Sequence, residues 1–421
     1  MNNIQNLRVA FVSLGCKLNF AETSTWAMSF VEQGHTRVSE REVADLYVVN
    51  TCSVTEHATK KSRQAIRHLH RIAPDGRIVV TGCYAQLKSS EVYAMEGVDL
   101  VVGAAHKGDL FRLADQLIKQ GIGASFCTPV TKTTPIFAAC SLGDRTRSFL
   151  KVQDGCDYKC TYCTVPLARG PSRNVPIESL AAQARMLESK GVKEVVLTGV
   201  NTGDFGKSSG ESFLDLLSCL AHVKGILRWR ISSIEPNLLT PEITAWIAAT
   251  PSFLPHFHLP LQSGSNKILA LMGRRYNREL YAARVAQIRT LMPYAFIGVD
   301  VVVGFPGEDE EDFVQTCTFL ESLAPSFIHV FPYSRRPDTP AASFSNQVAE
   351  GVKKERVKRL TQLSDQLYAA FYELNRGRPE EVLFEAKEKG GMMSGFTRNY
   401  LRIERPYQKE MIGAMVSIVV G

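Results

Sequence analysis

One unit recurs three times in residues 1–125: a short β-branched run ending in Gly or Thr, then Cys, then a helical pattern. The copies are Val9-Ala-Phe-Val-Ser-Leu-Gly-Cys16, Leu46-Tyr-Val-Val-Asn-Thr-Cys52 and Ile78-Val-Val-Thr-Gly-Cys83. Amphipathic stretches follow at 20–34, 57–72 and 86–96, and a fourth apolar run, Val98-Asp-Leu-Val-Val102, carries no Cys. Strand alternating with helix predicts a parallel sheet with right-handed crossovers. All strands of such a sheet end at one edge, where ligands collect. Three cysteines distant in sequence are therefore expected to meet there.

Residues 126–147 hold turn formers without a period and predict a linker. From 148 the alternation resumes, with strands at 149–153, 193–200, 227–234, 256–261, 296–304 and 327–333 and helices at 176–190, 211–223, 240–249, 265–292 (broken) and 308–323. Six βα units predict an incomplete barrel with its site at the carboxyl ends of the strands. A basic helix over 348–375 ends at Arg376-Gly-Arg-Pro379, and alternating residues with Gly turns predict a small all-β barrel over 376–421.

A chain of 421 residues, 45% apolar and 22% charged, is too long for one core and has the composition of a globular protein. No apolar run approaches the ~18 residues of a membrane span, and MNNIQNLRVAF has no basic region followed by an apolar one. A cytoplasmic protein with no membrane contact is expected. Its ten cysteines are then no disulfide framework. Cys127, Cys140, Cys219 and Cys317 are expected to be buried thiols. The net charge of +7 is uneven, with basic runs at Lys60-Lys-Ser-Arg63…Arg67…Arg71 and at Lys353–Arg359. Either run fits a solvated helix face or a phosphate-binding one.

Cys156-x3-Cys160-x2-Cys163 brings three thiolates close enough to share an iron–sulfur cluster. Three ligands on four irons leave one iron open to an external ligand. Structural zinc wants a second Cys/His pair, and none is near. Cys16, Cys52 and Cys83 form a second set of three, with Asn19, Asn50 and Thr51 beside them as hydrogen-bonding neighbours. For that set a redox thiol group or buried cysteines remain alternatives.

The first run, ending the first strand of a six-fold βα unit, resembles the radical-SAM superfamily. The resemblance implies that S-adenosylmethionine chelates the open iron and is split to a 5′-deoxyadenosyl radical. It places Tyr162 against the adenine, Gly199, Val200 and Asn201 by the methionine amino group, and Ser233, Glu235 and Gln262 at further cofactor contacts. Asn201 stands where an acidic residue is usual. Over nearly its whole length the chain resembles the methylthiotransferases within that superfamily. Leu14-Gly-Cys-Lys-Leu-Asn19, Val49-Asn-Thr-Cys-Ser-Val-Thr55, Thr81-Gly-Cys-Tyr-Ala-Gln86, His258-Leu-Pro-Leu-Gln-Ser-Gly264 and Asp300-Val-Val-Val-Gly-Phe-Pro-Gly-Glu308 carry the likeness. It implies a flavodoxin-like domain (1–125) with an auxiliary [4Fe-4S] cluster on Cys16, Cys52 and Cys83. A radical-SAM domain (148–375) with a [4Fe-4S] cluster on Cys156, Cys160 and Cys163 follows, and then a TRAM module (376–421). One S-adenosylmethionine methylates a sulfur at the first cluster; a second yields the radical that opens a substrate C–H bond. An external electron donor and a sulfur source are implied partners.

Gly15-Cys-Lys-Leu-Asn, Lys60-Lys-Ser-Arg-Gln-Ala-Ile-Arg67, Gly82-Cys-Tyr-Ala-Gln and Arg230-Ile-Ser-Ser-Ile-Glu-Pro236 are most similar to the subgroup acting on N6-threonylcarbamoyladenosine beside the tRNA anticodon. Arg169-Gly-Pro-Ser-Arg173 lacks the acidic residue of the isopentenyladenosine subgroup. A third subgroup modifies a ribosomal protein and has an acidic C-terminal module, whereas residues 376–421 carry eight basic and six acidic side chains. A non-catalytic RNA-binding iron–sulfur protein is the alternative of another class, and the open three-Cys sets argue against it. Candidate RNA contacts are Lys61, Arg63, Arg169, Arg173 and Arg398, with Tyr400 as a stacking ring.

Overall fold

A computed structural model describes residues 6–421. The first five residues, part of the MNNIQNLRVAF stretch, lie outside them.

The N-terminal unit runs β1 (Arg8–Ser13), α1 (Lys17–Glu32), β2 (Thr36–Val38), β3 (Leu46–Thr51), α2 (Glu56–Ile72), β4 (Arg77–Gly82), α3 (Cys83–Leu87), α4 (Ser89–Tyr93), β5 (Val98–Val102), α5 (Leu110–Gln120) and β6 (Ala124–Phe126). Its sheet is parallel throughout, in the order β2-β1-β3-β4-β5-β6. Its first five strands follow the flavodoxin-like order. Val9, Val48, Val79 and Val102 pack one face; Ala10, Tyr47, Val80 and Val101 pack the other. The pattern at 86–96 is two short helices, because the chain turns at Lys88. The strands β2 and β6 and the helix α5 are not expected from the sequence pattern. The two strands are only three residues long, too short to carry a period.

The expected linker is partly structured: β7 (Ala139–Cys140) pairs antiparallel with β8 (Ser148–Lys151). The central unit continues with β9 (Gln153–Asp154), α6 (Val165–Arg169), β10 (Arg173–Asn174), α7 (Ile177–Ser189), β11 (Glu194–Thr198), α8 (Phe213–Leu220), β12 (Arg228–Ile231) and α9 (Pro241–Ala249). After these come β13 (His256–Gln262), α10 (Asn266–Leu271), α11 (Arg278–Leu291), β14 (Phe296–Val303), α12 (Glu310–Leu323), β15 (Phe327–Pro332) and α13 (Glu350–Asn375). All six expected barrel strands are present. They form two parallel groups, β8-β11-β12 and β13-β14-β15, joined by the bridges Trp229–Phe253 and Ser233–His258. Capping boxes at Ser212/Asp215 and Asp309/Asp312 start α8 and α12.

The C-terminal strands are β16 (Pro379–Lys389), β17 (Met392–Phe396), β18 (Arg402–Pro406) and β19 (Met415–Val419). They form an antiparallel sheet, β18-β17-β16-β19, whose outer strands do not pair with each other among the described residues. The expected closed barrel is thus an open sheet here. It docks on the barrel through Arg228, whose guanidinium donates to the carbonyls of Phe396 and Glu381. No helix among the described residues is long and apolar enough to cross a membrane.

Candidate active site

Cys16, Cys52 and Cys83 meet at the sheet edge, as the strand-end argument requires. Cys16 is the N-cap of α1, Cys52 follows β3, and Cys83 opens α3. Gly15 makes the approach possible. It has φ +95°, and a Cβ there would fall 2.6 Å from Cys52 Cβ and Sγ. Asn19 donates to the carbonyls of Leu14 and Thr51, tying two of the strand ends together, and its Oδ1 lies 3.8 Å from Cys16 Sγ. Ser62 of α2 brackets Cys52, accepting from its N–H and donating to its carbonyl.

Behind this edge lies a buried ionic network joining the two larger units. Glu22, fully buried, takes Lys107 Nζ and Lys151 Nζ at 2.7 Å each and Arg169 Nη1 at 3.4 Å. Asp154 takes Lys151 at 2.6 Å and Arg169 at 2.8 Å. Three cations face two carboxylates, so one positive charge is left over. Burial drives the Cys83 thiol upward in pKa, and the Arg169 charge opposes that. The surplus charge therefore stands where thiolates would need it.

Cys156, Cys160 and Cys163 lie on the loop between β9 and α6. The loop is pinned by Cys156 N–H to Gly170 O (3.0 Å), Thr161 N–H to Met272 O (3.0 Å) and Ala341 N–H to Thr161 O (2.9 Å). Burial raises the Cys156 thiol to about 11 and Cys163 to about 12. Sequence reasoning misses Arg274. Its buried guanidinium donates to Cys160 Sγ at 3.1 Å and to Tyr162 Oη at 3.4 Å and pairs with Glu235. A Gly-Arg-Arg run between two helix patterns is the one available sign of it. Tyr162 packs against Phe305 and Tyr333 at the strand ends.

The other expected cofactor residues gather at the same edge. Val200 and Asn201 N–H both donate to Gln153 Oε1, at 2.9 and 3.0 Å. Asn201 Nδ2 is buried without a partner, and so is Ser232 Oγ. The Ser233 carbonyl is taken by Thr202. Gln262 ends β13 at a bulge with φ +68°. Both cysteine sets fit a thiolate-bound cluster. All ten cysteines are free, each set supplies three thiols, and each has a buried arginine beside it. The unpartnered polar atoms at the second set fit a zwitterionic ligand.

A cavity of about 890 Å³ lies between the Cys16 edge and the barrel strands. Cys16 and Lys17 line it on one side, Gly199, Ser232 and Ser233 at the strand ends, and Tyr400 closes it below.

Several expected RNA contacts are placed elsewhere. Arg169 is buried in the network above. Arg173 is buried on the carbonyls of Pro171, Thr134 and Arg169. Arg398 holds Pro251 O at 2.8 Å, fastening the C-terminal sheet to the barrel. Tyr400 is no exposed stacking ring: it stacks on Phe396 at 4.6 Å within the barrel mouth. Arg63 is half-buried and paired with Glu56 and Glu91. Of these candidates only Lys61, on α2, is exposed. Of the four cysteines expected to be buried, Cys140 is; Cys127, Cys219 and Cys317 are half-buried.

Residues 8–103 match the family described as "Uncharacterized protein family UPF0004", and residues 150–320 match the radical SAM superfamily. The "Threonylcarbamoyladenosine tRNA methylthiotransferase MtaB" of Bacillus subtilis is 41% identical, covering 98% of this chain and 93% of its own. The Aquifex aeolicus protein of the same name is 39% identical, covering 98% and 100%. Among solved structures, the radical S-adenosylmethionine methyltransferase TsrM from Kitasatospora setae shares the fold, with TM-score 0.58, 15% identity and coverage of 80% of this chain and 77% of that one. With two sets of three cysteines at strand ends and near-full-length similarity to these relatives, the chain belongs to the radical-SAM methylthiotransferase family.

Proposed function

We propose that this chain modifies tRNA, inserting a methylthio group at C2 of N6-threonylcarbamoyladenosine next to the anticodon. It uses two S-adenosylmethionine molecules and two [4Fe-4S] clusters. The observation that carries this reading is the buried network that ties the two cysteine sets together: Glu22 of α1, the helix capped by Cys16, and Asp154, just before the Cys156 loop, share Lys151 and Arg169. In this reading Cys16, Cys52 and Cys83 hold one cluster and Cys156, Cys160 and Cys163 the other. When bound, the clusters supply the radical that opens the C–H bond and the sulfur that replaces the hydrogen.

The chain's own part is placement. Arg274 orients Tyr162 and Glu235 around the cofactor and sets a positive charge on Cys160. The carbonyl edge at Gly199–Asn201 receives the cofactor's amino group, and Asn201 Nδ2 and Ser232 Oγ are donors for its oxygens. Glu235 and Gln262 flank the same ligand. The aromatic walls of the cavity limit water around the reacting base and hold it beside Cys16. Residues 1–125, 148–375 and 376–421 then act as the auxiliary-cluster, radical-SAM and RNA-binding TRAM units, with 126–147 linking the first two. Lys61 on α2 meets phosphate. A cytoplasmic location, an external electron donor and a sulfur source go with this assignment.

The test is nucleoside mass spectrometry on tRNA from a strain lacking the gene. Loss of the methylthio form of threonylcarbamoyladenosine supports the proposal; loss of the isopentenyl form, or an unchanged profile, overturns it. Cleavage of S-adenosylmethionine by the reduced, reconstituted protein separates it from a non-catalytic iron–sulfur protein.

A further inference from the structure

The cavity has one feature that radical generation does not use: an ammonium without a carboxylate. Lys17, the first residue of α1, turns away from the N-terminal sheet into the barrel lumen. Lys17 is exposed, and it lines the cavity beside Cys16. It makes no hydrogen bond or ion pair among the described residues. The charged groups facing it are Tyr400, Arg147, Arg230 and Asp300.

Each of the others already has a partner. Arg147 is bound to Glu385 at 2.8 Å, and Arg230 to Glu194 at 3.0 Å. Asp300 Oδ1 is hydrogen-bonded to His258 Nε2 at 2.8 Å. An ammonium that lines a cavity and has no partner of its own is free to take an anionic group of a ligand. The walls around it are aromatic: Phe296, Phe327, Phe331, Tyr368, Phe396 and Tyr400. His258, Asp300 and His329 have ligand atoms within 4.8 Å of one another in the same lumen. A metal ion there would face the Lys17 charge, and His258 and Asp300 already satisfy each other. The lumen is built for an anion with an apolar body.

We infer that the lumen is a subsite for a carboxylate-bearing substituent on the target base, and that Lys17 pairs with that carboxylate and so sets substrate choice. The inference rests on the proposed tRNA substrate, whose threonyl group ends in a carboxylate. Lys17 adjoins Cys16, so the same helix start that presents the sulfur-delivering cluster would measure the substituent. An uncharged isopentenyl group would leave the ammonium unpaired, and the site would select against it through that unpaired charge.

The test uses the full chain and an anticodon stem–loop bearing the threonylcarbamoyl nucleoside, its methyl ester, or unmodified adenosine. Binding is read by fluorescence anisotropy at fixed ionic strength, with and without clusters. Wild type should bind the acid about 10- to 100-fold more tightly than the ester, the range for a hydrogen bond to a charged group. Lys17→Met should bring the acid down to the ester's affinity, and Lys17→Arg should keep most of the preference. Near-UV circular dichroism and iron content identify a variant that fails to fold, in which case Lys17→Gln replaces it. Equal binding of acid and ester by wild type, both above unmodified adenosine, overturns the carboxylate subsite alone. So does an undiminished acid preference in Lys17→Met. Equal binding of all three stem–loops overturns the substrate reading as well.

Discussion

Glu22→Gln is the sharpest perturbation of the seam between the N-terminal and central units. At an effective dielectric of about 20, each 2.7 Å contact from Glu22 to Lys107 and Lys151 is worth about 6 kcal/mol before desolvation. Most of that is offset by taking the ions out of water. The amide keeps the shape but leaves three buried cations against Asp154 alone. Removing one partner of a buried pair costs about 3–5 kcal/mol, so a loss of that size is expected in the unfolding transition that separates these units. Guanidinium unfolding of the apoprotein measures it, as a lower midpoint at unchanged slope. Adding Lys151→Met should recover part of the loss, because it restores the one-charge surplus. The pH dependence supplies a second check. Burial alone would raise the pKa of both carboxylates, but the cations hold Glu22 and Asp154 well below the usual range. Their stabilisation is present above the unfolded value near 4 and is lost as pH falls through and below it. The gap between wild type and Glu22→Gln should therefore be full at pH 7 and shrink below about pH 4. A variant within about 0.5 kcal/mol of wild type at pH 7, or a gap that does not narrow in acid, would refute the assignment of this network as the clamp.

Three further outcomes are expected. Gly15→Ala combines φ +95° with a Cβ 2.6 Å from Cys52, so it should cost about 1–3 kcal/mol and, by displacing Cys52, about half the bound iron after reconstitution, read by iron assay. Arg274→Met removes the group joining Cys160, Tyr162 and Glu235; 5′-deoxyadenosine formation should fall about 100-fold or more while the iron of the N-terminal set stays. Lys61→Glu with Arg67→Glu should weaken tRNA binding and flatten its salt dependence by about one for each phosphate no longer neutralised, whereas Arg169→Met should leave the salt slope alone and lower stability instead.

The strand-to-cysteine units and the six barrel strands are legible because their residues follow a period. In β4, Ile78 and Val80 are buried on one face of the sheet and Val79 on the other, and Gly or Thr marks each strand end. The convergence of Cys16, Cys52 and Cys83 then follows from topology alone. Roles for single arginines are not legible in the same way. Arg169 and Arg173 have the composition of a phosphate-binding run, yet their partners, Glu22 and Thr134, come from distant segments that no local pattern connects to them. Arg274 escapes notice for the converse reason: its partners Cys160 and Glu235 lie on two other elements. Tyr400 reads as exposed because alternating strands normally show one face to solvent. Here it takes φ +68° and turns into the barrel mouth instead.

The seam explains why two cluster sites need one chain rather than two proteins. Each set of three thiols carries negative charge once loaded, and each is met by a buried arginine that is itself held by a carboxylate from another element: Arg169 by Glu22 and Asp154, Arg274 by Glu235. Arg169 extends this across units, because Glu22 belongs to α1 and Asp154 to the strand before the Cys156 loop. Cys16 starts the same helix that carries Glu22 further along. A shift of α1 relative to the barrel would thus disturb Cys16, the charge beside Cys83 and the Lys17 side chain together. The ionic clamp thus ties the helix that starts at Cys16 to the strand that leads into the Cys156 loop.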